Sequence, residues 1–469
     1  MDSGISRREF LRYTAIGVSI SPFLNFISCT DKRKPNIIIV FCDDLGYGDL
    51  GVFGHPSIRT PHLDKLANEG QKWTNFYVGA SVCTPSRAAL LTGRLPIRSG
   101  MCSDKRRVLF PNSAGGLPAT EITIAEALKK TGYRTACIGK WHLGHLKEHL
   151  PTNHGFDYYY GIPYSNDMDA IRVLSKKEQM DPKVEYYNVP LIRNKEIIER
   201  PANQKTITKR YNDETLKFIQ QNQNEPFFLY LSHNLPHIPL FVSSDFEERS
   251  PRGLYGDVIE EIDYGIGEII KSLRDNDLDR DTFIVFTSDN GPWLTFDQHS
   301  GSAGLFRNGK GTTWEGGMRV PAIFWYPGKI QPEVITGMGS TLDLFTTICN
   351  LADADVPQDR IMDSHDLSST LFRREPSPRD VFYYYRGTDI YAVRKGSYKI
   401  HFITEDAYKE DNLKTYHDPP LLFNLQIDPG EKYNISEEYP EVIQDILNEV
   451  KKHKSNLVFG EDQLAKKNR

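Results

Sequence analysis

Four short apolar runs of β-forming residues each stop abruptly at a cluster of chemically capable polar side chains, and no other feature restricts the fold as much. Asn36-Ile37-Ile38-Ile39-Val40-Phe41, within Pro35 to Phe41, stops at Asp43-Asp44, and Phe283-Ile284-Val285-Phe286, within Thr282 to Thr287, stops at Asp289-Asn290-Gly291. Tyr133 to Ile138 leads into Gly139-Lys140-Trp141-His142, and Pro226 to Leu231 leads into Ser232-His233-Asn234-Leu235-Pro236-His237. Runs that are apolar at nearly every position, rather than every second one, belong to strands covered on both faces. Helical patterns such as Ile122 to Lys130 and Tyr255 to Leu273 lie between them. This alternation predicts an α/β fold in which a mostly parallel sheet is sandwiched by helices. Ligands of such sheets bind outside the carboxyl ends of the strands. Acids, an amide, a lysine and histidines are therefore delivered to one edge.

The chain's 469 residues suffice for a large core and a smaller second domain. A formal net charge of −5 carries no nucleic-acid signature. Six scattered cysteines, Cys29, Cys42, Cys83, Cys102, Cys137 and Cys349, form no CxxC pair, so neither a zinc site nor a dense disulfide framework is indicated. The 24 Tyr and 24 Phe suit a large core, with some left for stacking on sugars. Asp43-Asp44 and Asp289-Asn290 offer only hard oxygen donors, which suit Ca2+ or Mg2+ better than Zn2+. At a single strand end, such a pair is equally a turn or a helix cap. Pro85 belongs in a helix's first turn and Arg87 to Leu91 are good helix formers, which places Cys83 at a helix N-terminus, where anions are favoured. A lone cysteine there is more often simply buried. His237 stands between two prolines, and Lys310 lies in Gly309-Lys310-Gly311-Thr312-Thr313-Trp314-Glu315-Gly316-Gly317, whose spacing is not that of a nucleotide-binding P-loop.

Cys83-Thr84-Pro85-Ser86-Arg87, followed by Thr92-Gly93-Arg94, resembles the signature of the type I, formylglycine-dependent sulfatases of the alkaline phosphatase superfamily. The likeness runs from Pro35 to about Asn434 and is similar in particular to the arylsulfatase A and N-acetylgalactosamine-6-sulfatase branch. It includes Leu45-Gly46-Tyr47-Gly48-Asp49, Gly161-Ile162-Pro163-Tyr164-Ser165, Arg319-Val320-Pro321 and Leu422-Phe423-Asn424-Leu425-Gln426-Ile427-Asp428-Pro429-Gly430-Glu431. Asp363-Ser364-His365-Asp366 departs from the Asp-Gly-x-Asp of many relatives, outside the catalytic set. The resemblance implies a catalytic domain over 34–365 with an alkaline phosphatase-like architecture, closed by a helix over Thr341 to Leu351. A small α+β domain over 366–469 would follow, with antiparallel strands at Val381 to Tyr385, Ile390 to Arg394 and Tyr398 to Phe402 and a helix over Glu441 to Lys452.

The resemblance also implies hydrolysis of sulfate esters, with Cys83 oxidised to Cα-formylglycine (3-oxoalanine) by a formylglycine-generating enzyme. The aldehyde hydrate attacks sulfur. One Ca2+, or alternatively Mg2+, is held by Asp43, Asp44, Asp289, Asn290 and the residue-83 oxygen. Arg87 and Lys140 hold the hydrate and the sulfate oxygens, and Ser165 lines the sulfate pocket. His237 and Lys310 serve the leaving alcohol, and His142 takes the proton from the second hydroxyl as sulfate departs. A sulfated carbohydrate is the expected substrate, an aryl sulfate the simpler one, with Asp167 to Lys205 and Asp297 to Phe306 as specificity loops. Two other readings stand beside it: a phosphate or phosphonate ester hydrolase of the same superfamily, and a non-catalytic binder of sulfated glycans.

Ser6-Arg7-Arg8-Glu9-Phe10-Leu11-Arg12, ahead of the mostly apolar Tyr13 to Ile27, looks like a bacterial twin-arginine export signal. Residues 1–33 are thus set apart from the fold, and the protein is expected in the periplasm or tethered to a membrane. Phe26-Ile27-Ser28-Cys29 resembles an imperfect lipobox, so Cys29 is either lipidated after cleavage or incidental to a cleaved signal. Twin-arginine export carries folded proteins, which fits a cysteine modified before transport.

Overall fold

The computed structural model describes residues 33–407 and 413–467. The twin-arginine motif and Cys29 lie outside the described residues. Ten strands form the large sheet: β1 (Asn36–Cys42), β2 (Gln71–Tyr77), β3 (Arg134–Gly139), β4 (Tyr158–Gly161), β5 (Leu191–Arg193), β6 (Glu196–Glu199), β7 (Phe227–Ser232), β8 (Thr282–Ser288), β9 (Arg319–Trp325) and β10 (Glu333–Ser340). They lie in the order β10-β2-β9-β8-β1-β7-β3-β4-β5-β6. The central block β8, β1, β7, β3 and β4 is parallel throughout, while β9, β5 and β6 pair antiparallel with their neighbours. The sheet is therefore mixed, with its expected parallel strands at the centre.

Side-chain alternation along β1 explains its unbroken apolar sequence. Ile37, Ile39 and Phe41 enter the core on one face, and Ile38, Val40 and Cys42 enter the core on the other. All six are buried, and each large aliphatic so placed contributes about 1.5–3 kcal/mol relative to exposure. Helices Cys83–Thr92, Ile124–Lys129 and Asp343–Leu351 supply the first core, and Pro61–Glu69, Ile207–Gln221 and Leu254–Asp275 the second. The helix expected from Ile122 starts two residues later. Thr123 caps it, with Thr123 Oγ1 accepting from Glu126 N (3.1 Å) and Glu126 Oε2 accepting from Thr123 N (2.7 Å).

A second, antiparallel sheet runs in chain order through β11 (Val381–Arg386), β12 (Asp389–Lys395), β13 (Tyr398–Thr404) and β14 (Thr415–Asn424). The helix Pro440–Ser455 covers it with Ile443, Ile446 and Val450, and Phe382, Tyr384 and Ile400 join the first core of the large sheet. The fourth strand was not expected, because Pro419-Pro420 within it argues against a strand. The loop Asp167 to Lys205 also holds structure that its weak periodicity hides: a β5–β6 hairpin that extends the sheet edge.

Register sets the level of the functional edge. Phe41 and Gly139 both pair with Ser232, and Cys42 pairs with Ser288. Asp43, Lys140, His233 and Asp289 therefore emerge side by side from β1, β3, β7 and β8.

Candidate functional site

Cys83 is the first residue of its helix, behind an extended Val82, and is fully buried against β1's end, with Sγ 3.3 Å from Asp43 Oδ1. The helix stops at Gly93, whose φ of +66° suits glycine and whose N–H closes on Ala89 O at 2.9 Å. One turn after Cys83, Arg87 is also fully buried. Its Nε and Nη2 donate to Asp289 Oδ2 at 3.1 and 2.8 Å, Nη1 donates to Lys140 O at 3.2 Å and to Ser232 Oγ, and Nη2 lies 3.6 Å from Asp43 Oδ2. One guanidinium thus ties the ends of β1, β3, β7 and β8 together.

The other expected residues converge on the same point. Lys140 Nζ donates to Asp43 Oδ2 and, at 2.8 Å, to Ser165 Oγ, which lies 3.2 Å from His237 Nε2. His237 Nε2 is 3.7 Å from Asp44 Oδ2, and Lys310 Nζ lies 2.8 and 2.9 Å from the two Asp44 oxygens. Asn290 Nδ2 donates to Asp44 Oδ1 at 2.7 Å, and Asp44 N donates to Asp289 Oδ1 at 3.1 Å. His142 stands on the other side of Cys83's helix start: its backbone oxygen accepts from Thr84 Oγ1 at 3.0 Å, and its Nε2 meets Leu109 O at 2.9 Å. His142 Nδ1 is buried without a hydrogen-bond partner among the described residues.

Among the described residues, Asp43, Asp44, Cys83 and His237 offer ligand atoms that all lie within 4.8 Å of one another. Asp289 stands beside this group, bound to Arg87, and His237 stands inside it. Asn290 Oδ1 is buried and unpartnered among the described residues, an oxygen donor with unused capacity. Two aspartates plus a free amide oxygen make a set suited to a hard cation.

Electrostatics separate the acids from one another. Burial opposes charge on Asp43, but Lys140, then His237, Arg87 and Lys310 outweigh it and hold its carboxyl well below the usual range. Burial raises Asp44, with Lys310 only partly offsetting it, and burial together with Asp43 pushes Asp289 up to about 7. Burial disfavours charge on Lys310, but Asp44 prevails and keeps it firmly protonated. Both histidines are pushed well down, His142 by burial and Lys140, His237 by burial and Lys310. Each is therefore neutral near pH 7. Burial, then Asp43, pushes the Cys83 thiol well up, so as an unmodified thiol it is a poor nucleophile.

Sequence reasoning passed over Trp293, whose ring lies 4.4 Å beneath Lys310 Nζ and 5.3 Å from the His237 ring. It borders a cavity of about 650 Å3 together with Asp167, Arg172, Tyr187 and Ile238. Its place three residues after Asn290 was the available signal. Ser232, the last residue of β7, and the Leu109 carbonyl carry no sequence signature at all.

A family profile described as Sulfatase matches residues 35–354, and one described as C-terminal region of aryl-sulfatase matches residues 377–469. Arylsulfatase A from Homo sapiens is 41% identical over 468 residues, covering 92% of this chain and 91% of its own length. N-acetylgalactosamine-6-sulfatase from Mus musculus is 38% identical over 486 residues, covering 94% and 90%. Among solved structures, the PsFucS1 sulfatase from Pseudoalteromonas sp. matches with a TM-score of 0.80 at 32% identity, over 91% of this chain and 92% of that one.

Proposed function

The chain belongs to the sulfatase family and is a sulfuric ester hydrolase, and from that premise we propose that it removes sulfate from a sulfated carbohydrate, with residue 83 acting as formylglycine beside one calcium ion. The observation that carries this reading is the convergence on Cys83 of Asp43, Lys140, His237 and Lys310 at the carboxyl edge of the parallel strands. The sugar named in the N-acetylgalactosamine-6-sulfatase relative supports the substrate class.

Asp43, Asp44, Asn290 and residue 83 would hold the cation, with Asp289 reached through Asp44's backbone and Arg87. Calcium held there would supply positive charge to polarise the sulfate. Formylglycine at residue 83 would supply a hydrated aldehyde, with one hydroxyl to act as nucleophile and a second to lose a proton. Lys140 and Lys310, placed next to Asp43 and Asp44, orient the sulfate oxygens. His237, fixed through Nδ1 on the Ile238 carbonyl, directs Nε2 toward Ser165 and Asp44, where it serves the leaving alcohol together with Lys310. His142, neutral and with Nδ1 unused, would be the group to take a proton from that second hydroxyl.

Two domains, 34–365 and 366–469, are our division of the chain. We take the leader as an export signal, with residue 83 modified by a formylglycine-generating enzyme before transport; no helix among the described residues is long and apolar enough to cross a membrane. Sulfate release from 4-nitrophenyl sulfate and from sulfated mono- and disaccharides of defined position tests the function. Dominant turnover of 4-nitrophenyl phosphate would overturn it.

A further inference from the structure

Next to the catalytic centre, a cavity of about 250 Å3 opens between residues 79–85 and the small sheet. Its wall takes in Val82 and Pro85 on either side of Cys83, and Gly311 directly after Lys310. Arg107 belongs to it too, two residues before the Leu109 carbonyl that meets His142. A Cβ at Gly311 would stand 3.2 Å from Arg107 Nη1, so this guanidinium lies against the Lys310 loop.

The charges of the wall are unevenly used. Arg107 is exposed and makes no ion pair among the described residues. Arg386, the last residue of β11, forms an ion pair with Glu405 (Nη2 to Oε1 2.8 Å), but its Nη1 is buried with no partner among the described residues. The acids, by contrast, are spent. Asp104 Oδ1 accepts from Thr388 N at 2.9 Å and its Oδ2 from Thr388 Oγ1, while Glu405 Oε2 accepts from Tyr391 OH at 2.6 Å. Burial, then repulsion from Arg107, lowers Arg386 from the ordinary arginine value, with Glu405 only partly offsetting them. A planar guanidinium fits sulfate and carboxylate oxygens in paired hydrogen bonds, and a buried N–H left unpaired is costly unless a ligand meets it.

We propose that this cavity is a second anion subsite, in which Arg107 and Arg386 hold a sulfate or carboxylate on the sugar unit next to the one being desulfated. The proposal rests on the carbohydrate reading given above and adds a substrate class to it: oligosaccharides that carry two anionic groups on neighbouring units.

The test compares kcat/KM for 4-nitrophenyl sulfate, a monosulfated neutral disaccharide, a disulfated disaccharide and a monosulfated disaccharide with a uronate. The wild type should prefer one of the two doubly anionic sugars over the neutral one, and which of them tells sulfate from carboxylate. In Arg107→Ala that preference ratio should fall about tenfold, mainly through KM, which corresponds to about 1.4 kcal/mol. Arg386→Gln, which keeps a donor for Glu405, should lower the same ratio, while Arg134→Ala, at the amino end of β3, should not. No preference in the wild type, or a ratio unchanged in Arg107→Ala, overturns the subsite while leaving the sulfatase intact. Hydrolysis of 4-nitrophenyl sulfate with none of the sugars cleaved overturns the carbohydrate reading and the subsite together.

Discussion

Replacing Lys399 with Met should cost this protein about 3–5 kcal/mol, the range for stranding a buried charge. Lys399 is completely buried on β13; its Nζ donates to Thr313 O at 2.8 Å and Glu315 Oε1 at 2.9 Å, and it forms an ion pair with Glu431 Oε1 at 2.9 Å. Glu315 keeps other partners without it: Tyr77 OH at 2.6 Å, Tyr384 OH at 2.9 Å and Arg319 Nη1 at 3.3 Å. Glu431 does not fare so well. Its remaining side-chain partner is His401 at 2.7 Å, on which burial is the largest influence against a compensating charge. The stranded charge is thus on Glu431, whose Oε2 also accepts from Glu315 N at 2.7 Å. Adding Glu431→Gln to Lys399→Met should therefore recover stability, with a coupling of about 1–3 kcal/mol between the two sites. Urea unfolding followed by tryptophan fluorescence reads this directly, since the Trp314 ring packs 4.4 Å from the His401 ring. Activity should fall with stability, because Thr313 and Glu315 anchor the segment that carries Lys310. A Lys399→Met cost below about 1 kcal/mol, or strict additivity in the double variant, would refute the reasoning.

Lys310→Ala should lower kcat on 4-nitrophenyl sulfate by roughly 10²–10³-fold, as removal of a preorganised charge donor does, with the fold retained by circular dichroism. Gly93→Ala should destabilise by roughly 2–5 kcal/mol in thermal unfolding, since φ is +66° and the new Cβ would stand 2.6 Å from Phe345 Cβ. Chelation with EGTA should lower both activity and the unfolding temperature, and Ca2+ should restore both. Burial, first among the causes, pushes His154, His233, His401 and His453 each down to about 4, so each takes up a proton on unfolding below its free value of about 6.5. Stability should be fully present above about pH 6.5 and drain away as the pH falls toward 4; a flat stability profile over that window would be the contrary result.

Much of this was legible because burial on both faces leaves a plain trace in sequence. The continuous runs read as strands buried on both faces, and β1, β3 and β7 were found shifted by one residue, while β8 starts as expected at Thr282 and runs one residue further. Asp43, Lys140, His237 and Asp289 followed from where those strands stop. The edges were less readable. β14 contains two prolines, and the β5–β6 hairpin is short and exposed on its outer strand, so neither alternation nor apolar run announces it. At the site, residue types could be assigned to an anion-binding edge, but partner choice could not. That Asp289 turns to Arg87 while His237 approaches Asp44 depends on side-chain directions set by four separate strand ends. Arg386 was invisible for a related reason: its unused N–H arises only when β11 is folded against the Cys83 and Lys310 segments.

Mass spectrometry of the peptide spanning residue 83, taken from enzyme that hydrolyses 4-nitrophenyl sulfate, goes to the root of the catalytic proposal. An aldehyde or its hydrate in place of the Cys83 thiol is the predicted result. Fully active enzyme with an unmodified cysteine at residue 83 would contradict it.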